Sequence, residues 1–123
     1  MAGELTTTAF TLAYTKANTG STTVTVPALS ITVTGGGYMD NVQSIGTTEE
    51  AILLGDITAG GWYFVQNLDA TNFVSLRQGT ATANMIQLLA GEWCLFRMSP
   101  STAAPFAIAD TGAVLTRFLR IDL

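Results

Sequence analysis

Residues 62–68 read WYFVQNL, and their alternation indicates the fold class. Because successive side chains of a β-strand point to opposite faces, Tyr63 and Val65 share one face of such a strand. Trp62 and Phe64 share the other face. Both faces are apolar, so the segment predicts a strand in the centre of a sheet, with neighbours on each side.

The same period-two pattern continues through the chain, in short segments rich in threonine and apolar residues. Phe10, Leu12 and Tyr14 share one face of a predicted strand. Pro27 cannot donate a hydrogen bond to a ladder, so we expect two short strands around it rather than one long strand. Eight or nine short strands without a helical period predict an all-β fold, an antiparallel β-sandwich of jelly-roll-like type.

Three turns in the second half of the chain predict hairpins. Residues 67–72 are rich in asparagine and aspartate, whose short side chains bond to their own backbone. Residues 90–92 and 110–112 are short glycine-containing breaks between apolar segments. The strands on the two sides of each turn are expected to pair, whereas the order of strands within the sheets stays open.

The N-terminal stretch differs from the rest in composition. Residues 1–8 have almost no apolar content and should fray on an isolated monomer. We therefore predict an N-terminal arm at residues 1–8 and a single β-sandwich domain at residues 9–123. An ordered arm containing Thr6, Thr7 and Thr8 would be most easily explained by contact with another subunit.

The charge content restricts the possible partners. Only 11% of the residues are charged and the net charge is −4, whereas about 25% are charged in a typical soluble protein. Nucleic acids and anionic membranes attract positive proteins, so neither is an expected partner. So little ionic surface protects a solitary monomer poorly, which predicts self-association as a dimer or trimer.

The reactive residues are too few for a recognisable catalytic or metal site. The sequence has no histidine and one cysteine, which excludes Ser-His-Asp triads and His-ligated zinc. An alternating strand puts Glu49 and Glu50 on opposite faces, as solvated charges at a strand edge. Asp69 lies in a turn with no calcium-loop spacing, and Cys94 is expected to be a buried, inert thiol. We predict no enzyme activity, catalytic residue, metal, cofactor or small-molecule substrate.

Five residues within predicted strands are candidate interface residues, besides the three threonines of the arm. An arginine in an apolar strand either pairs with a carboxylate of its own chain or lies at an interface, and pairing within the chain is the simpler alternative. Tryptophans at strand ends pack in the core or anchor a subunit contact. The candidates are Trp62, Trp93, Arg97, Arg117 and Arg120.

The last two-thirds of the chain, about residues 42–123, resembles a known group of proteins. The similarity is to small, mostly uncharacterised virion structural proteins of tailed bacteriophages. It is carried by a run of short motifs in fixed order. These motifs are GTTEEA at 46–51, GDI at 55–57, NLDATNFV at 67–74, LAGEWCLFR at 89–97 and ADTGA at 109–113.

The resemblance implies a structural protein that is made in the bacterial host cytoplasm and located in the virion. Together with the predicted fold, it favours a capsid decoration (cement) protein that binds the major capsid protein on the outer head surface and stabilises capsomer contacts. A small tail, baseplate or fibre protein that contacts tail proteins is the alternative. A carbohydrate-binding module is a second alternative, in which Trp62, Tyr63 and Trp93 would stack on sugars.

Overall fold

The computed structural model describes residues 3–18, 20–35, 37–55, 57, 60–99 and 103–122. Over these ranges the chain is all-β, and every strand pair is antiparallel. The predicted fold class is therefore confirmed, with twelve strands in place of the expected eight or nine. The described part of the chain contains no helix that could cross a bilayer.

The chain divides into two compact units, Met1–Thr34 and Gly35–Leu123. This division differs from the predicted arm at residues 1–8 and domain at residues 9–123. The reason lies in strand pairing, because the first strand pairs with the fourth and so belongs to a unit of four strands.

The first unit is a two-stranded β-ribbon. Its inner strands β2 and β3 pair with each other, and its outer strands β1 and β4 do the same. The turn between β2 and β3 uses positive φ angles at Asn18 (65°) and Gly20 (96°), and glycine adopts such angles without steric cost. The strands are β1 (Gly3–Thr7), β2 (Phe10–Lys16), β3 (Gly20–Val26) and β4 (Leu29–Val33).

Pro27 interrupts the ribbon as the sequence predicts. Strand β3 ends at Val26 and β4 begins at Leu29, opposite a matching two-residue break between β1 and β2. The Leu29 amide donates a hydrogen bond of 3.1 Å to the Thr7 hydroxyl on the far side of this break. The expectation of two short strands around Pro27 is confirmed.

The second unit consists of eight strands in two four-stranded sheets. The first sheet has the order β10-β7-β12-β5, and the second has the order β6-β11-β8-β9. The strands are β5 (Tyr38–Ile45), β6 (Glu50–Ala51), β7 (Gly61–Asn67), β8 (Val74–Arg77), β9 (Asn84–Leu88), β10 (Trp93–Met98), β11 (Phe106–Ala109) and β12 (Val114–Ile121).

The pairing within this unit is nested along the chain. The first strand, β5, pairs with the last, β12; β6 pairs with β11, β7 with β10, and β8 with β9. Two further pairs, β7 with β12 and β8 with β11, complete the sheets. A hairpin folded over on itself in this way, with eight strands in two sheets, is a jelly roll.

The core lies between the two sheets. Phe118 and Val65 come from the first sheet, and Leu76 and Ala107 come from the second; all four side chains are fully buried. Apolar burial of this kind is the main stabilising contribution to a domain of this size. The buried cluster contains Ile45, Ile52, Tyr63, Val65, Val74, Leu76, Leu88, Met98, Ala107, Ala109, Val114 and Phe118.

The prediction that three turns of this unit join paired strands is wrong. The flanking strands of each turn lie in opposite sheets: β7 and β8, β9 and β10, and β11 and β12. Each turn therefore carries the chain from one sheet to the other. Sequence spacing detects that the chain turns, but a paired hairpin and a crossing between sheets use the same turn residues.

Asn67 fixes the crossing from β7 to β8. Its side chain is fully buried, and its amide group donates to the carbonyl oxygens of Asn72 and Leu88, both at 2.9 Å. Its own amide oxygen accepts a hydrogen bond of 2.8 Å from the Asp69 backbone. A buried polar group must be paired in this way, so Asn67 ties the turn to β9 of the second sheet.

Candidate interaction surfaces

The outward side of the first sheet is an apolar surface, which we name the outer face. Burial alternates along β7 and β12, with one set of side chains in the core and the other set pointing away from it. The edge strands β5 and β10 follow the same alternation. The outer face comprises Trp62, Phe64, Gln66, Leu115, Arg117, Leu119, Ile121, Trp93, Leu95, Arg97, Tyr38, Asp40, Val42 and Ser44.

Apolar side chains occupy most of the middle of this face, where Gln66 and Arg117 form one polar row. Phe64 lies opposite Leu95 on one neighbouring strand and Leu119 on the other. Trp62 lies opposite Ile121 in the next row. Such cross-strand neighbours are close enough to form one continuous surface. The central strands thus present apolar side chains outward as well as inward.

Both tryptophans that were selected as candidate interface residues belong to the outer face. Trp93 is 54% exposed, and its ring lies 5.8 Å from the ring of Phe64 at an angle of 37°. Trp62 is half-buried, and its indole nitrogen has no hydrogen-bond acceptor among the described residues. A subunit contact through either tryptophan stays a prediction.

Two of the three arginines that were selected as candidate interface residues also lie on this face. The Arg117 guanidinium binds Asp40 through Nε at 3.2 Å and Nη2 at 2.8 Å, which is the pairing within the chain that the sequence left open. This hydrogen-bonded pair lowers the pKa of Asp40. Arg97 is exposed beside Trp62 on the next strand, and it takes part in no ion pair within the described residues.

Arg120, the third predicted arginine, is not on the surface. It points into the second unit, is fully buried, and donates through Nη2 to the Asn41 side-chain oxygen. Its Nε and Nη1 atoms have no acceptor among the described residues. Because β12 alternates strictly, residue 120 falls on the core side with Phe118, so Arg120 cannot serve as an interface residue in this fold.

The ribbon carries a second apolar surface, which we name the ribbon face. Pairing places Phe10 opposite Val26 and Leu12 opposite Val24, with Tyr14 next to them. The exposed fractions are 41% for Phe10, 58% for Leu12 and 56% for Tyr14. The other side of β2 and β3 consists of threonine, serine and alanine. The ribbon by itself therefore leaves an aromatic and aliphatic stripe uncovered.

The three predicted arm threonines take part in the ribbon. Thr6 is exposed in β1 opposite Ser30, and Thr7 accepts the hydrogen bond from Leu29. Thr8 is exposed in the break between β1 and β2. Thr6 and Thr7 are thus placed by pairing within the ribbon, and a contact of the three threonines with another subunit stays a prediction.

The paired glutamates have structural contacts instead of being freely solvated. Glu49 accepts hydrogen bonds from the Thr80 hydroxyl at 2.7 Å and the Ala81 amide at 2.8 Å, and it forms an ion pair with Arg77 at 2.7 Å. These contacts lower the pKa of Glu49. Glu50 accepts hydrogen bonds from Gln43 at 3.0 Å and from the Gly46 amide at 3.1 Å.

The Glu49 contacts predict a pH-dependent contribution to stability. We expect Glu49→Gln to lower the melting temperature at pH 7, because the amide loses the ion pair with Arg77. Since the folded pKa lies below the ordinary value of 4.5, the stabilisation is present above that value and is lost as the pH falls through the folded pKa. The two melting temperatures should therefore converge in acid. A difference of equal size at pH 7 and pH 3 would contradict this assignment.

The remaining candidates for chemistry also have structural contacts. The Asp69 carboxylate accepts hydrogen bonds from the backbone amides of Asn72 at 2.7 Å and Thr71 at 3.0 Å, which lower its pKa and define the predicted turn. Burial raises the pKa of the Cys94 thiol to about 11, so the thiol is protonated at neutral pH. Within the described ranges, no three acidic or cysteine side chains cluster in a way that could hold a metal ion.

A cleft of about 400 Å³ opens between the edge strands β9 and β10. Its walls are mainly apolar, with Met85, Ile86 and Phe96 among them, and Arg77 and Arg97 also line it. Arg77 is already bound to Glu49, so Arg97 is the charged side chain with which this mainly apolar cleft could contact a ligand.

Sequence reasoning missed most of the outer face. It used the two-sided apolarity of residues 62–68 to predict a central strand, which is confirmed because β7 lies between β10 and β12. The apolar character of both faces also indicates that the outward side of β7 is an apolar surface, which the sequence analysis did not consider. Residues 114–121 repeat this pattern with Leu115, Leu119 and Ile121. Only the sheet order shows that these side chains adjoin.

Comparisons of the chain with protein-family models, with curated proteins and with solved structures gave no match. The two apolar surfaces are therefore interpreted from their own geometry and chemistry.

Proposed function

We propose that this chain is a non-enzymatic structural protein of a tailed bacteriophage virion and that it binds the outer head surface as a capsid decoration protein. The observation that carries the proposal is the apolar surface left exposed in both units, on the ribbon face and on the outer face. Its partners are further copies of itself and the major capsid protein. Contacts with several neighbours would cover these surfaces and hold adjacent capsomers together.

The charge distribution supports an assembly role. Exposed apolar patches of this kind, with polar groups around them, are typical of sites that bind other proteins. Residues 1–34 contain only two charged residues, Glu4 and Lys16. Such a ribbon has little of its own to keep it soluble as an isolated element, so binding to neighbours is the favoured state.

The accessible chemistry supports a non-enzymatic role. The sequence has no histidine, and the carboxylates of Asp40, Glu49 and Glu50 are each bound to other groups of the chain. The Cys94 thiol is protonated at neutral pH. A catalytic site needs a nucleophile or base with a free, oriented partner, and none of these groups fits that description.

Immunogold electron microscopy of purified virions tests the location. An antiserum against the recombinant chain should label the whole head surface, and quantitative mass spectrometry should give a copy number comparable to that of the major capsid protein. Label confined to the tail, with few copies per particle, would favour the tail or baseplate alternative. Particles without the chain would overturn a virion role.

A stability measurement tests the cementing activity. Heads that lack the chain should release their DNA at a lower temperature than complete heads, and added recombinant chain should restore the difference. The physical reason is that each bound copy adds contacts between capsomers that the disrupted shell must break. Unchanged release temperatures after saturating binding would contradict cementing even if the chain binds heads.

The carbohydrate-binding alternative receives less support from the geometry. Of its three aromatic residues, Tyr63 is buried in the core and stacked on Phe96 at 5.3 Å, so it is not accessible to a sugar. Trp62 is half-buried, which leaves Trp93 as the exposed ring. Glycan-array binding that Trp93→Ala abolishes would revive this alternative.

A further inference from the structure

The two open sides of the sandwich, where the sheets of the second unit end, differ from each other. On one side the Gln43 side chain of β5 donates hydrogen bonds to the Glu50 carboxylate at 3.0 Å and to the Ala51 carbonyl oxygen at 3.2 Å. It also accepts one of 3.2 Å from the Leu53 amide, so it ties β5 to β6 and the segment after it. On the other side the cleft of about 400 Å³ lies between β9 and β10. The sandwich is therefore open beside these two edge strands.

Strand β10 turns half of its backbone hydrogen-bonding groups away from its own sheet. It is the edge strand of the first sheet and, within the described residues, pairs with β7 alone. The Asn67 amide donates a hydrogen bond of 2.9 Å to the Glu92 carbonyl oxygen, and every second residue of β10 bonds to β7 in the same phase. The residues whose N–H and C=O groups point away from β7 are Trp93, Leu95 and Arg97.

The free edge of β10 has little protection against pairing with another strand. Natural edge strands are usually blunted by charged side chains, by proline or by a bulge. The six residues of β10 include one charged residue, Arg97, and no proline, and the strand follows β7 without a register shift. Its outward N–H and C=O groups can therefore be paired by an extended segment of another chain.

The side chains along this edge alternate in the way that an added strand needs. Phe96 points inward and lines the cleft with Ile86 of β9, whereas Arg97 follows on the outward side. Because an added strand alternates in the same way, one set of its side chains would enter the cleft and the other set would adjoin Arg97. The inward set is expected to be apolar, since the walls of the cleft are mainly apolar.

The charge at the cleft favours an acidic partner. Two arginines line it, and Arg77 is neutralised by its ion pair with Glu49 at 2.7 Å. Arg97 is exposed and takes part in no ion pair within the described ranges. A carboxylate on the outward side of the added strand, opposite Arg97, would compensate this charge, as opposite charges in cross-strand pairs do.

We propose that an extended segment of another protein, in which apolar residues alternate with at least one acidic residue, adds to β10 as a further strand of the first sheet. Its main chain bonds to the free edge, its apolar side chains fill the cleft, and its carboxylate pairs with Arg97. In strand addition of this kind, the main chain gives affinity and alternate side chains give specificity. The inference rests on the proposed structural role and deepens it, because it names the part of the chain that holds a neighbouring protein.

Selection from a library of random octapeptides tests the chemistry of the partner. The library is displayed on yeast and selected for binding to the labelled wild-type chain. We expect the enriched peptides to alternate apolar residues with at least one aspartate or glutamate. A library from which no peptide is enriched, or one enriched in basic peptides, would overturn the inference.

Two variants of β10 test the contacts, with fluorescence anisotropy of an enriched peptide as the measurement. Arg97→Glu should raise the dissociation constant at least about ten-fold, and a peptide with lysine in place of its acidic residue should bind this variant again. Leu95→Pro removes an N–H group from the free edge without removing a bond to β7, and it should also weaken binding at least about ten-fold. Its control, Leu95→Ala, keeps the N–H group and should bind nearly as the wild type does.

Near-ultraviolet circular dichroism checks that each variant of β10 is folded, since both tryptophans lie in the second unit. Equal affinities of the wild type, Arg97→Glu and Leu95→Pro for the peptide would place the peptide elsewhere on the chain and overturn the proposal.

Hydrogen exchange measured by NMR locates the peptide. The amides of Trp93, Leu95 and Arg97 should exchange rapidly in the free chain and become protected in the complex, because they gain hydrogen bonds. The Phe96 amide, which faces β7, should be protected in both states. Protection of β9 amides instead, or protection of the β10 edge in the free chain by a second copy at high concentration, would contradict the proposal.

Binding to virus heads separates this inference from the proposed function. Heads that lack the chain should bind the wild type and Leu95→Ala, but not Leu95→Pro. Binding of Leu95→Pro at the wild-type level would overturn the strand addition and leave the proposed function intact. A wild-type chain that binds the peptide at β10 but does not bind heads would support the site and contradict the decoration role.

Discussion

Gly61→Ala should destabilise the second unit by about 4 kcal/mol, a large part of the 5–15 kcal/mol that holds a typical domain together. Gly61 begins β7 with a φ of 126°, a backbone conformation that L side chains rarely adopt. A Cβ atom at this position would also collide with the carbonyl oxygen of Ile121 at the end of β12. The two central strands of the first sheet would have to separate to accommodate it.

Urea denaturation followed by tryptophan fluorescence measures this effect, because both tryptophans lie on the first sheet. Gly79→Ala is the matched control, since a Cβ atom there would have open space around it. The control should change the free energy of unfolding by less than about 1 kcal/mol. Equal stability of the two variants would contradict the close approach of β7 to the end of β12.

Asn41→Ala should destabilise the protein by about 2–3 kcal/mol, the range expected when a buried charged group loses a hydrogen-bond partner. Asn41 provides the side-chain oxygen that accepts a hydrogen bond from Arg120, whose residue is fully buried. The guanidinium also lies over the Phe118 ring, 5.7 Å from its centroid. Burial lowers the pKa of Arg120, but the guanidinium keeps its charge at neutral pH.

Arg120→Met provides the second half of this experiment. A buried charge without a carboxylate partner is costly, so an apolar side chain of similar length should leave stability unchanged or raise it by about 1 kcal/mol or more. In the Arg120→Met background, Asn41→Ala should cost less than in the wild type. Additive effects of the two substitutions, measured by urea denaturation, would contradict a direct interaction.

Alternation predicted the all-β class and the two faces of several strands, and the missing amide hydrogen of Pro27 predicted the break there. Residues 114–121 show why: Val114 and Phe118 fall on the buried side, and Leu115 falls on the exposed side, as the period of two requires. The turn at residues 67–72 was also predictable, because asparagine and aspartate bond to their own backbone there. These features depend on side chains close together in sequence.

Pairing between distant strands was not predictable in the same way. The jelly roll joins β5 to β12 across most of the second unit, and β6 to β11 within it. Each of these pairs involves generic apolar and threonine side chains that would fit several partners. The choice depends on how the whole set of strands buries its apolar faces together.

The candidate interface residues could also be identified only in part from the sequence. Trp62, Trp93, Arg97 and Arg117 could be selected from sequence, because aromatic and arginine side chains in apolar strands are unusual. Arg120 was selected by the same reasoning and lies in the core. Its neighbour Arg117, three residues earlier, points outward to Asp40.

The sequence by itself determined that this chain forms short antiparallel strands and that it lacks the side chains for histidine-based catalysis. Only the tertiary structure decided which strands adjoin, that β1 is paired, and which apolar faces stay in contact with water. The physical reason is that strand propensity and side-chain alternation are local properties. The partner of each strand, and the cover of each face, are fixed by packing between residues far apart in the chain.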